Sequence, residues 1–231
     1  MNKTIYNLWK KVGINYFWGD LYDSRFYIAQ LISKKNIECI LDIGCGAGVL
    51  LHFAKAQLKI GIDLSLESLI AAKKIHEEKM ELIQSDVRFL PFKDDFFTNI
   101  LAMHIISAFD KSKSDRIKCM SEIQRISSNT CEILITGANR RSRHFKNIYS
   151  DEYNETYLHY SEVVDFFKKS FKVDAIGYGS FSRKIMYPLK LVYKIPEIIV
   201  DKLKIEDVIF YFLKSKRFLK DGRSYIVPCK R

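Results

Sequence analysis

The chain has 231 residues, of which 48% are hydrophobic and 28% charged. That excludes a disordered, collagen-like or low-complexity chain and suffices to fill one core. The 38 Lys and Arg against 27 Asp and Glu leave a formal charge of +11. The excess is uneven, because residues 181–231 hold 13 Lys and Arg and only 5 Asp and Glu. A nearly neutral body with a basic C-terminal segment points to an anionic partner surface, phospholipid or nucleic acid, or else to a solvated lysine-rich face. Cys39, Cys45, Cys119, Cys131 and Cys229 are odd in number, scattered and never paired as C-x-x-C, which speaks against a disulfide framework, a zinc site and an iron–sulfur site. No apolar run approaches the ~20 residues that span a bilayer, and the first residues lack the apolar core of a secretory signal. A cytoplasmic protein is expected.

Residues 1–36 read as a helical arm rich in aromatics, including Tyr16, Phe17, Trp18 and Tyr22. A strand over Cys39–Ile43 runs into Gly44-Cys45-Gly46-Ala47-Gly48, and a helix follows from about Val49 to Ala56. A second strand, Leu58–Ile62, ends at Asp63, and Ser65 is a candidate N-cap for the next helix. Short strands over Met80–Gln84 and Thr98–Met103 come next, then a helix over Ser114–Ser127 and a fifth strand, Cys131–Thr136. Strands alternating with helices at this spacing are βαβ units of a parallel sheet. A helix over Tyr160–Ser170 and a sixth strand, Phe171–Tyr178, complete the core. Ser224–Pro228 suits a last strand beside the sixth, with Pro228 expected at an edge or strand end. Between them, residues 181–222 mix aliphatics and aromatics with lysines. Ile199, Leu203, Val208, Phe212 and Leu213, with Lys202, Lys204 and Lys214 between them, predict a basic amphipathic helix.

Asp42-Ile43-Gly44-Cys45-Gly46-Ala47-Gly48 lies directly between a strand and a helix. Glycines there let the backbone turn tightly and approach a ligand, and the helix start offers N–H groups and positive dipole. A dinucleotide loop, G-x-G-x-x-G, requires glycine where Val49 stands, and no Lys-Ser or Lys-Thr closes a phosphate-binding P-loop. A carboxylate two residues ahead of the glycines suits a cationic or amine-bearing ligand better than a phosphate.

In these residues the chain resembles the class I S-adenosylmethionine-dependent methyltransferases, in particular the small-molecule, type-11-like group. The resemblance runs from about residue 20 to 180 and takes in the terminal strand. It implies an α/β, Rossmann-like, doubly wound sheet of seven strands, mostly parallel, with an antiparallel last strand. One methyltransferase domain is implied, with the N-terminal cap at 1–36, the core at 37–180, the insert at 181–222 and the last strand at 223–231. The implied cofactor is S-adenosylmethionine, held by Asp42, Gly44, Cys45, Gly46 and Gly48 of the loop. Asp63, followed by Leu64, resembles the acid that holds both ribose hydroxyls. Asp86 resembles the acceptor for the adenine amino group, with Val87 beside the ring. Met103 closes the fourth strand, and Tyr22 in Leu21-Tyr22-Asp23-Ser24 resembles the element that closes over the methionine moiety. Thr98 departs from the family by replacing an acid at the start of the fourth strand.

Methyl transfer from a sulfonium is an in-line displacement that mainly requires alignment. His104, next after the fourth strand, is a candidate general base or a structural histidine. Tyr16, Phe17 and Trp18 form either an aromatic lid or a packing helix. Arg140-Arg141-Ser142-Arg143-His144 either fixes an acidic substrate or is a solvated loop. The expected acceptor is a small molecule, apolar or lipid-like. RNA or protein methylation and a non-catalytic binding module are the alternatives, nucleic acid being disfavoured because no RNA-binding motif is present. Residues 181–222 are open to three readings besides RNA contact: peripheral membrane contact, cover for an apolar acceptor, or packing against the domain or a second copy.

Overall fold

The structure, a computed structural model, describes residues 24–76, 79–109, 112–138, 158–178, 214–215 and 224–231. Helix α1 (Ser24–Ser33) leads into β1 (Ile37–Ile43), α2 (Val49–Phe53), β2 (Ala56–Asp63), α3 (Leu66–His76), β3 (Glu81–Gln84) and β4 (Phe97–Met103). A 3₁₀ turn (Ile106–Phe109) precedes α4 (Lys113–Ile126), which passes without a loop into β5 (Ser127–Ala138). Then come α5 (Tyr160–Phe167), β6 (Lys172–Val173), β7 (Ile176–Tyr178), β8 (Lys214–Ser215) and β9 (Ser224–Lys230).

The sheet order is β3-β2-β1-β4-β5-β9-β7-β8, with β6 also on β9. Strands β1 to β5 pair in parallel, while β9 lies antiparallel between β5 and the β6–β7 strand. Counting β6 and β7 as one interrupted strand, this is the doubly wound seven-stranded sheet with a reversed last strand, extended by the short β8. The strands are apolar on both sides because helices cover both sides. Leu41, Ile43, Ile100 and Ala102 pack in one layer with Cys119, Met120 and Ile123 of α4 and with Phe167 of α5. Their alternates Ile40, Leu101 and Met103 pack in the other layer with Ile28 and Ile32 of α1 and Leu50 and Leu51 of α2.

Three expectations are corrected. Pro228 is neither at an edge nor at a strand end: it faces Leu134 in the middle of β9. An antiparallel residue directs its N–H and C=O to the same side. The Pro228 carbonyl accepts from Asp174 N–H at 3.2 Å, so its missing donor faces the break between β6 and β7, where a proline is tolerated. The helix expected to reach Ala56 stops at Phe53, and Ala56 opens β2. Lys214, expected on an amphipathic helix, lies instead in β8, antiparallel to β7. The rest of 181–222, the aromatic arm with Tyr22, and Arg140–His144 lie outside the described residues.

Candidate functional site

The carboxyl ends of β1, β2 and β4 meet at the glycine loop. Gly44, Gly46 and Gly48 all have positive φ, at 71°, 53° and 72°, a region that other L-residues enter only at a cost. At Gly44 a Cβ would also lie 2.1 Å from Ile105 Cδ1, whereas at Gly46 no atom of the described residues lies within 4 Å. So Gly44 is needed for packing, while Gly46 presents bare backbone that none of the described residues covers. Gly48 is the N-cap of α2.

The loop is anchored to β2. Gly44 and Cys45 donate their N–H groups to the Ile62 carbonyl at 2.8 and 2.9 Å, and Gly46 N–H donates to Asp63 Oδ2 at 2.8 Å. Asp63 Oδ1 accepts from Ser65 N–H at 2.9 Å, and Ser65 Oγ in turn accepts from Ser68 N–H at 3.2 Å as the expected cap of α3. Two of roughly four acceptor positions on the Asp63 carboxylate are therefore used by backbone N–H groups. Next to it Leu64 is 68% exposed, an apolar surface beside the acid.

Asp42 is buried directly behind the loop, and its Oδ1 has no hydrogen-bond partner among the described residues. Burial first, and the charge of Asp63 second, push its carboxyl up to about 8. Burial also raises the Cys45 thiol, and the Asp42 and Asp63 charges raise it further; its side chain packs in the layer with Leu50 and Leu51 of α2.

Asp86, at the turn after β3, sits in a different environment. Its Oδ1 accepts from Arg88 N–H and Nε–H at 2.9 and 3.1 Å, and its Oδ2 accepts from the Arg88 guanidinium at 2.6 Å. These hydrogen bonds hold its carboxyl below the ordinary value. Arg88 also donates to Asp115 Oδ1 at 3.0 Å and lies over the Phe109 ring. Val87 is buried alongside. Asp86 is therefore an ionised, oriented acceptor whose guanidinium partner no motif pointed to.

Met103 is buried, with its sulfur accepting from Thr136 Oγ at 3.4 Å. His104 follows at φ 60°, its N–H donating to the Thr136 carbonyl at 2.9 Å. A non-glycine residue in that conformation is uncommon, and such strain concentrates at functional sites. Sequence reasoning also missed three supports of the loop: Ile105 against Gly44, Met80 against Gly48, and buried His76, whose Nε2 is 2.8 Å from the Ala47 carbonyl. All three come from elsewhere in the chain, so no local pattern announces them. Among the described residues no group of three or more His, Cys, Asp or Glu could hold a metal ion, and no helix is long and apolar enough to cross a membrane.

Residues 40–129 match the family model described as a methyltransferase domain. These residues form a methyltransferase domain. The chain is 30% identical over 102 residues to a phosphatidylethanolamine N-methyltransferase of Cereibacter sphaeroides, covering 42% of this chain. The match spans about half (48%) of that relative's length. A methyltransferase of Archaeoglobus fulgidus shares the fold at a TM-score of 0.58 and 17% identity, over 90% of this chain and 95% of that one. So does a [4+2]-cyclase, at a TM-score of 0.58 and 15% identity, over 91% and 81%. The methyltransferase cofactor, S-adenosylmethionine, fits what the loop provides among the described residues: bare backbone at Gly46, a carboxylate at Asp63, and a buried acid at Asp42 with an oxygen lacking a partner.

Proposed function

We propose that this protein transfers a methyl group from S-adenosylmethionine to a small, apolar or lipid-like acceptor. The observation that carries the reading is the pairing of bare backbone at Gly46 with two carboxyl groups, Asp42 and Asp63, at one loop. The Asp63 carboxylate, with a buried acid behind it at Asp42 that a cation would help to ionise, favours a cationic nucleoside over a phosphate. When bound, the cofactor supplies an already activated methyl on a good leaving group. The chain's own residues then have to bind, orient and exclude water. Asp63 holds the ribose hydroxyls, Asp86 accepts from the adenine amino group while Arg88 keeps it aimed, and Leu64 and Val87 flank the ring. Met103 lines the site, and Tyr22 covers the methionine moiety. His104 takes a proton from the acceptor as general base.

Two observations support a lipid-like acceptor. The curated relative is named for a phospholipid amine, and the basic excess falls in residues 181–231, as suits peripheral contact with an anionic membrane from the cytoplasm. The shared fold with a [4+2]-cyclase keeps a second reading in view, because fold alone does not set the reaction. Titration calorimetry with S-adenosylmethionine, followed by radiolabelled methyl transfer to phosphatidylethanolamine vesicles, soluble amines and total RNA, tests the proposal. Label in lipid or small molecule supports it. Label in RNA replaces the acceptor class, and binding without transfer to any of these acceptors replaces the enzyme with a binding module.

A further inference from the structure

Asp42 combines two properties found in no other carboxyl group among the described residues: it is 2% exposed, and one oxygen has no hydrogen-bond partner. Its register neighbours are Gly61 on β2 and Leu101 on β4, neither of which has a polar side chain. It shares its side of the sheet with Ile40, and the layer there is built from Leu50 and Leu51 of α2 and from Leu101 and Met103 of β4. Among the described residues the charge that acts on it is Asp63 at the end of β2; the Cys45 thiol in the loop, itself raised by the Asp42 charge, is its other titratable neighbour, and neither is a cation. An ionised carboxylate there would have lost its water and would face a second negative charge. Such a group stays protonated until a cation arrives.

We propose that Asp42 senses ligand charge: it remains a neutral acid behind the ligand-free loop and gives its proton to solvent when a nucleoside bearing a positive sulfur occupies the loop. The inference rests on the cofactor reading above. The Asp42 O–H bond breaks, the electron pair stays on the oxygen, and the proton goes to the buffer; nothing is oxidised or reduced. The methyl donor carries a sulfonium and its demethylated product a neutral thioether. Ionisation of Asp42 therefore favours the donor, and its reprotonation accompanies loss of positive charge at the sulfur. This makes Asp42 a specificity residue between donor and product, a role distinct from holding the ribose or the adenine.

The test is titration calorimetry of the full chain at pH 6.5, in two buffers of different ionisation enthalpy, with S-adenosylmethionine and with S-adenosylhomocysteine. At that pH an α-amino group, with pKa ~7.7–8.0, stays charged and contributes little. The expected result is release of nearly one proton, ~0.9, per S-adenosylmethionine bound. Release with S-adenosylhomocysteine should be less than half of that, and Asp42→Asn should release none with either ligand. Infrared difference spectra should show a protonated-carboxyl band in the ligand-free protein that disappears on adding S-adenosylmethionine. If Asp42→Asn does not fold, the donor–product comparison and this band decide on the wild-type chain. Binding heats that do not depend on buffer, equal release with both ligands, or unchanged release from a folded Asp42→Asn would overturn the proposal while leaving the cofactor reading intact. Failure of both ligands to bind would overturn the two together.

Discussion

Gly44 and Gly46 share a backbone conformation but differ in surroundings, so replacing each by alanine separates two costs. An alanine at positive φ costs ~1–2 kcal/mol, offset by ~0.4–1 kcal/mol because the unfolded chain loses freedom. At Gly46, φ 53° with no atom of the described residues within 4 Å of the added carbon, that is the whole effect, roughly 1 kcal/mol or less. At Gly44 the added carbon meets Ile105 Cδ1 at 2.1 Å and Cγ1 at 2.8 Å. Ile105 is packed against the core and stiff at χ1, so the displacement adds ~1–3 kcal/mol. Gly44→Ala should therefore lose ~2–4 kcal/mol in urea denaturation, read from the midpoint at constant m. Binding should rank the two variants the other way. Gly46→Ala places a methyl in the space assigned to the ligand and should weaken S-adenosylmethionine binding at least ~10-fold, or ~1.4 kcal/mol, in a chain of nearly native stability. Equal destabilisation by both variants would refute the packing argument. Wild-type affinity in Gly46→Ala would show that the space above that glycine is not the ligand's.

Asp63→Ala removes acceptors for Gly46 and Ser65 as well as those assigned to the ribose, and calorimetry should show binding weakened by ~1.5–3 kcal/mol; unchanged affinity rejects the ribose role. The Asp42 carboxyl is raised in the folded chain from 3.8 to about 8, so its contribution to stability is complete below about pH 4 and is lost as pH rises through about 8. Urea denaturation of the ligand-free protein should show that fall across pH 4 to 8, and Asp42→Asn should flatten it; a wild-type profile in the variant rejects the assignment. His104→Gly suits the backbone at φ 60° and should leave the fold and cofactor affinity intact while slowing methyl transfer by ~10²–10⁴-fold. Undiminished turnover would make His104 structural.

The order of strands and helices was legible because each follows from a local cause. Apolar runs such as Cys39–Ile43 are strands buried on both faces, and Ser65 caps α3 through its own side chain. The glycine loop was legible for the same reason, since backbone conformation at Gly44, Gly46 and Gly48 is a property of those residues. The hold of Arg88 on Asp86 and Asp115 was not, because Asp115 is 27 residues away in sequence and only the packing of α4 brings it near.

Taken alone, the sequence determined the alternation of elements, the bare loop and the acids at the ends of β1, β2 and β3, since periodicity, glycine and charge are written residue by residue. Only the tertiary structure decided that Pro228 could lie inside the sheet, against the break in its neighbour. It also decided that Asp42 would be a buried acid beside a second carboxylate. Those outcomes depend on what surrounds a group in space, and burial and Coulomb interaction act across distances that the order of residues does not encode.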